Sequence, residues 1–249
     1  MTDVGWRAMS ESRATSFHLA ADAYARGRPS YPAEAVAWML PDAAREVADV
    51  GAGTGKLAAV VAASGRHVVA IDPDAGMLGK LRAEHPGIRT EVGGAERLPL
   101  PAACVDAVVF GQAWHWVEPV AAAAEAARVL RPGGVLGLIW NIRDTRAGWA
   151  AELATLIDPS NAEQFVERGI PELAAPFGEV ETATFPWASP LTVDGLVDLV
   201  SSRSATIAAS PEDRAATLDA VRALGEREAG ADGRLLLPYL THVFRAVAP

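Results

Sequence analysis

Ala48-Asp49-Val50-Gly51-Ala52-Gly53-Thr54-Gly55-Lys56 decides how this chain is read. A short apolar approach from Val47 enters it, and Leu57-Ala58-Ala59-Val60-Val61 leaves it at helical spacing. A strand that turns into a helix through glycines lets a ligand approach the backbone. No side chain stands in the way, and the start of the helix offers unpaired N–H groups. The acid at 49 with glycines at 51, 53 and 55 gives D-x-G-x-G-x-G.

Three ligands compete for such a loop. A nucleoside triphosphate needs G-x-x-x-x-G-K-[ST], but Val50 stands where the first glycine belongs and Leu57 replaces the hydroxyl that holds Mg²⁺. A dinucleotide needs G-x-G-x-x-G, and its third glycine is Lys56 here. S-adenosylmethionine carries no phosphate, so the loop need only skirt an amino-acid tail and a ribose. A plain strand–helix turn with no ligand is the bland alternative. The next strand bears on the choice. His67-Val68-Val69-Ala70-Ile71 ends in Asp72-Pro73-Asp74. A carboxylate at that strand's end can accept both ribose hydroxyls. Asp74 is then expected to cap the helix near Ala75, leaving Asp72 to the ligand.

Composition narrows the function. The chain has 249 residues, half of them apolar, enough for a packed α/β core with or without a subdomain. A net charge of −9 without a basic cluster argues against nucleic acid. One cysteine, Cys104, excludes an internal disulfide and fits a reducing compartment. No signal peptide and no spanning segment is readable, so a cytoplasmic protein is expected. The five histidines show no metal-ligand spacing. Oligomeric state is left open.

Strands are predicted at 47–50, 67–71, 88–92, 105–110 and 135–140, with helices at 56–64, 74–84 and 118–130. Arg131-Pro132-Gly133-Gly134 reads as a stop-and-turn. This alternation predicts a parallel sheet covered by helices on both faces. Beyond Asn141, helices near 147–157 and 160–169 precede a strand at 179–187. A helical tract over 192–228 breaks at Ser210-Pro211, and a strand at 234–246 carries Pro238 at its entry or at a bulge.

Taken together, several segments resemble class I S-adenosylmethionine-dependent methyltransferases of the type 11 group, trans-aconitate-methyltransferase-like branch. They are Tyr24-Ala25-Arg26-Gly27-Arg28-Pro29-Ser30-Tyr31-Pro32, the glycine loop, Ala70–Asp74 with Met77, and Ala95-Glu96-Arg97-Leu98-Pro99-Leu100. Gln112-Ala113-Trp114-His115-Trp116 and Arg128–Gly134 complete the set. The resemblance implies a Rossmann-like, seven-stranded, mostly parallel sheet with a helical cap. It divides the chain into an N-terminal arm and lid (1–40), a cofactor-binding core (41–141) and a C-terminal part (142–249). The implied cofactor contacts are Tyr24, Arg28, Asp49, Gly51, Ala52, Gly53, Gly55, Asp72, Pro73, Met77, Ala95, Glu96 and Gln112. Relatives often carry an acid where this chain has Gly94, so Glu96 or backbone alone must meet the adenine edge. Trp114, Trp116, Trp140 and Arg143 are candidates for the substrate pocket, with Arg143 a cation for a carboxylate acceptor. His115 is the candidate general base for a hydroxyl, phenol or amine acceptor; a hydrogen-bonded lid or cofactor contact is its plainer role. The expected partner is a small molecule, with no nucleic acid, no membrane and no metal. Two other readings are a binding module that has lost its chemistry and an NAD-dependent oxidoreductase.

Overall fold

Strand β1 (Glu46–Val50), helix α2 (Lys56–Ala63) and strand β2 (His67–Asp72) follow helix α1 (Ala33–Met39) and open the computed structural model. The structure describes residues 29–146, 148–169, 173 and 175–249. The chain continues with α3 (Ala75–Glu84), β3 (Arg89–Val92), β4 (Val105–Gly111), a 3₁₀ turn (Trp114–Trp116), α4 (Pro119–Val129) and β5 (Leu130–Arg143). Then come α5 (Gly148–Leu156), α6 (Asn161–Glu167), β6 (Glu181–Thr192), α7 (Val193–Ser201), α8 (Ser204–Ala208), α9 (Pro211–Glu228) and β7 (Arg234–Val247). The seven strands form one sheet in the order β3-β2-β1-β4-β5-β7-β6. The pairings β1–β2, β1–β4, β2–β3 and β4–β5 are parallel. This is the expected Rossmann-like α/β sheet.

Burial explains the pattern of strands. β1, β2 and β4 are apolar almost throughout because helices cover both faces. Each edge is blunted differently. β3 has four residues and an exposed Arg89–Glu91 ion pair of 2.8 Å, while β6 alternates in exposure and carries Pro186 and Pro190. One expectation changes. Arg131–Gly134 does not separate a helix from a strand: α4 ends at Val129, and the four residues bulge within β5. Val105 pairs with Leu130 and Ala107 with Val135, and Gly133 takes φ +75°. Pro238 lies inside β7, where its carbonyl accepts the Asp144 N–H at 2.9 Å and no donor is asked of it.

The chain divides into two compact units. Among the described residues, the larger holds 30–141, 165–185 and 241–249, and the smaller holds 142–164 and 186–240. Each has its own core. In the larger, α1 and α2 pack Val36, Met39, Leu57 and Val61 with Val47, Val109 and Ile139 of the sheet. In the smaller, Leu153, Leu196, Val200, Val221 and Leu224 join Leu235 and Leu237. No helix of the described residues is long and apolar enough to cross a membrane.

Candidate active site

In the larger unit, β1 and β4 are neighbours although β2 and β3 intervene in sequence, so the strand order reverses there. Ligands of open α/β sheets sit outside the carboxyl ends of the strands at that reversal. The glycine loop occupies this place. Gly51, Gly53 and Gly55 all have positive φ (+70°, +55° and +86°), and Gly51 N–H donates to the Ile71 carbonyl at 2.8 Å, tying the loop to β2. At Gly51 a Cβ would come within 2.6 Å of Ala113 Cβ, and at Gly55 within 2.6 Å of Leu81 Cγ. At Gly53 a Cβ would meet nothing within 4 Å. The first and third glycines therefore permit close packing, while the middle one faces open space.

Asp72 clasps this loop. Its Oδ2 accepts the Gly53 N–H and its Oδ1 the Asp74 N–H, each at 2.8 Å. Asp74 caps α3 as expected, accepting from Gly76 and Met77. Asp72 is thus engaged by two backbone amides rather than unengaged, though each of its oxygens keeps a further lone pair. Burial raises its pKa, the two amides offset part of that, and the charge of Asp74 adds to it.

Asp49 differs from every other described acid in this unit. It is fully buried, and neither carboxylate oxygen has a hydrogen-bond partner. Burial pushes its pKa up to about 7; the Ala58 amide, which falls short of hydrogen-bond geometry, offsets a part, and Asp72 raises it further. A buried carboxyl without a partner costs free energy that a cationic ligand group would recover.

Past β4, Gln112 takes a positive φ of 54°, rare for a side-chain-bearing residue, and its N–H reaches the Ile139 carbonyl at 2.9 Å. Trp114 is buried edge-on against Phe110, with centroids 4.9 Å apart. His115 and Trp116 are half-buried, with centroids 4.9 Å apart. Trp140 is fully buried, and its indole N–H donates to His115 Nδ1 at 3.2 Å. Trp114 and Trp140 therefore present no wall to solvent, and Trp140 supports His115 through its indole N–H. Phe165, which carries no sequence motif, lies 5.2 Å from Trp140 and 6.1 Å from His115. Asn141 is buried, donating to the Ser30 carbonyl at 2.9 Å and accepting from Thr241 at 2.7 Å.

Other sequence candidates fall as follows. Met77 and Ala95 are buried, while Ala52 is half-buried. Pro73 is exposed between the two acids. Glu96 accepts the Glu118 N–H at 2.9 Å, so its carboxylate already closes a loop. Tyr24 and Arg28 lie outside the described residues. Arg143 belongs to the smaller unit, where its Nε donates to Glu163 at 2.8 Å. Among the described residues no cluster of three or more His, Cys, Asp or Glu side chains could hold a metal.

A glycine loop at the sheet's reversal, an acid closing the second strand and an unpartnered acid beneath the loop define a nucleoside-cofactor-binding α/β protein. The methyltransferase-domain family model matches residues 48–138, which run from the glycine loop to the middle of β5. An uncharacterized methyltransferase of Mycobacterium tuberculosis strain H37Rv is 48% identical over 93% of this chain and 95% of its own. A methyltransferase-like protein of Schizosaccharomyces pombe is 33% identical over 73% and 74%. A solved structure from Anaeromyxobacter dehalogenans, assigned as a type II methyltransferase, superposes with a TM-score of 0.66. It is 24% identical and covers 89% of this chain and 98% of its own, a likeness of fold.

The chain belongs to the methyltransferase family and uses S-adenosylmethionine. Its residues fit that donor: the orphaned Asp49 carboxyl suits an ammonium, Gly53 leaves room against the backbone, and Asp72 keeps lone pairs for hydroxyls.

Proposed function

We propose that this methyltransferase acts on a small organic acceptor, and that its glycine-loop face orients the donor through Asp49 and Asp72. The observation that carries the placement is the buried, unpartnered Asp49 beneath a loop of three positive-φ glycines. When bound, S-adenosylmethionine supplies an electrophilic methyl group. The acidic net charge supports a small acceptor over nucleic acid, as does the resemblance of several segments to the trans-aconitate-methyltransferase-like branch. A single cysteine supports a reducing, cytoplasmic setting.

Methyl transfer from a sulfonium is an in-line displacement, whose catalysis is largely proximity and orientation. His115 contributes in a specific way. The Trp140 N–H points into the Nδ1 lone pair, which assigns the ring proton to Nε2. A neutral ring so held has its basic nitrogen occupied, so His115 acts as an N–H donor that positions an acceptor oxygen rather than as the base. An acceptor atom that is already a nucleophile suits this arrangement. Trp116 beside it adds an aromatic surface for a sulfonium or an apolar substrate.

Calorimetric titration with S-adenosylhomocysteine and with NAD, followed by labelled-methyl transfer to a panel of small acceptors, tests the reading. Micromolar binding of the first and none of NAD, with transfer to at least one acceptor, is the expected outcome. Binding of NAD alone would overturn it.

A further inference from the structure

A buried chain of hydrogen bonds within the larger unit joins three stretches far apart in sequence. Asn141, near the carboxyl end of β5, donates from Nδ2 to the Ser30 carbonyl at 2.9 Å and accepts the Thr241 hydroxyl at Oδ1 at 2.7 Å. Thr241 lies on β7 and is fully buried, and Asn141 is nearly so. A carbonyl can only accept, so the amide has one orientation here, and the Thr241 hydroxyl meets its other end. Satisfied polar groups in a low-dielectric interior hold the backbone they touch in one place. Here that backbone is Ser30-Tyr31-Pro32. On the far side Pro32 caps α1, its carbonyl accepting the Ala35 and Val36 N–H groups at 3.1 and 3.2 Å. Tyr31 is therefore pinned from both sides.

This seat gives the Tyr31 side chain a specific place. A Cβ at Gly111 would stand 2.8 Å from the Tyr31 hydroxyl oxygen and 3.1 Å from Leu57 Cδ2, so the phenol fills the space a side chain at 111 would take. Gly111 closes β4. Asp49 and Val109 are paired on β1 and β4, so their side chains share a face of the sheet. Position 111 lies on that face two residues further on, about 7 Å toward the carboxyl end. The hydroxyl thus stands on the Asp49 face at the strand reversal, beside the first turn of α2. An α-amino acid carries its ammonium and its carboxylate on one carbon. A tail whose ammonium meets Asp49 therefore brings a carboxylate close by, and a phenolic O–H is a fitting donor to it.

We propose that the Tyr31 hydroxyl donates to the carboxylate of the donor's amino-acid tail, and that Asn141 and Thr241 are positioning residues that hold it there through Ser30. This rests on the placement of S-adenosylmethionine at Asp49. The last strand of the chain then acts on the donor through a buried amide, without touching it.

The test compares two ligands of the full chain by calorimetry: S-adenosylhomocysteine, which has the tail, and methylthioadenosine, which lacks it. The wild type should prefer the first. Tyr31→Phe keeps the ring packed on the core and should weaken S-adenosylhomocysteine by about tenfold, the worth of one hydrogen bond to a charged group, with methylthioadenosine unchanged. Thr241→Val removes the hydroxyl at nearly constant shape and should weaken the first ligand selectively, by about threefold or more. Thr241→Ser restores the donor and should bring the ratio of the two affinities back. In the Tyr31→Phe background, Thr241→Val should cause no further loss, because its effect passes through the phenol. A merely structural network would lower the Tm of Thr241→Val and leave the affinity ratio at its wild-type value, and that result overturns the positioning role. Equal losses for both ligands in Tyr31→Phe, or none, overturn the contact. Additive losses in the double variant break the link between Thr241 and Tyr31. A wild type that binds both ligands equally has no tail site, which sinks this inference alone, and one that binds neither sinks the donor placement itself.

Discussion

Asp49→Asn separates a titrating partner of the donor from a merely buried acid. In the ligand-free protein the carboxyl titrates at about 7, far above its usual range near 4. The sign follows: stability contributed by this group is present below about pH 4 and is lost as pH rises through about 7. An ammonium paired with the carboxylate would favour the charged form and return it toward about 4. Ligand binding then competes with the proton. Affinity should strengthen by about 15-fold from pH 5.5 to pH 7, a range in which the ligand's own ammonium stays largely protonated. Binding at pH 6 should release close to one proton. Titration calorimetry with S-adenosylhomocysteine, in two buffers of different ionisation enthalpy, reads both quantities. The carboxamide of Asp49→Asn cannot titrate, so the variant's profile should be flat and its proton release absent. A flat wild-type profile, or the same slope in both proteins, would refute the assignment of Asp49 to the donor's ammonium.

Three further outcomes are expected. Asp72→Ala should weaken S-adenosylhomocysteine binding by roughly 1.5–3 kcal/mol, because hydrogen bonds to a charged group are lost; unchanged calorimetric affinity would remove Asp72 from the site. Gly51→Ala should lower stability by about 1–3 kcal/mol, since the new Cβ would stand 2.6 Å from Ala113 Cβ at a φ of +70°. A thermal midpoint equal to wild type would contradict that geometry. Trp140→Phe preserves the ring but removes the donor to His115. Turnover should fall by about tenfold, the worth of one hydrogen bond, with cofactor affinity intact. Nitrogen NMR of the wild type should show the Nε2–H tautomer, and an even mixture of tautomers would count against the lock.

Much of the architecture was legible because it rests on local pattern. The glycine loop, the β-branched run ending in Asp72 and the alternation of periods each occupy a few consecutive residues, and the strands fall where those patterns place them. Arg131–Gly134 misled because proline and glycine punctuate a bulge as readily as a turn. What escaped reading is non-local. Trp140 meets His115 across 25 residues, and Arg143, Glu163 and Arg203 converge from three separate stretches of chain. Ser160-x-x-Glu163 has the form of a capping box, but a cap does not announce which cations its carboxylate will also hold. Nor can composition show that Asp49 lacks a partner, since that depends on everything packed around it.

The place of β7 sets a clock on biosynthesis. It is seventh in chain order but sixth in the sheet, inserted between β5 and β6. Roughly ninety residues separate the end of β5 from its start. At about 5–20 residues per second, a ribosome takes about 5–18 s to make them. Throughout that interval the free edge of β5 has no neighbour from its own chain and is open to strands of other nascent chains. Arrival of β7 also brings Ala248 to clasp the bulge, with hydrogen bonds to Gly133 and Gly134 at 3.2 and 2.8 Å. Yield in a heterologous host should therefore respond to translation speed and chaperone supply over 144–233, even for synonymous codon changes that leave every residue of the mature enzyme untouched.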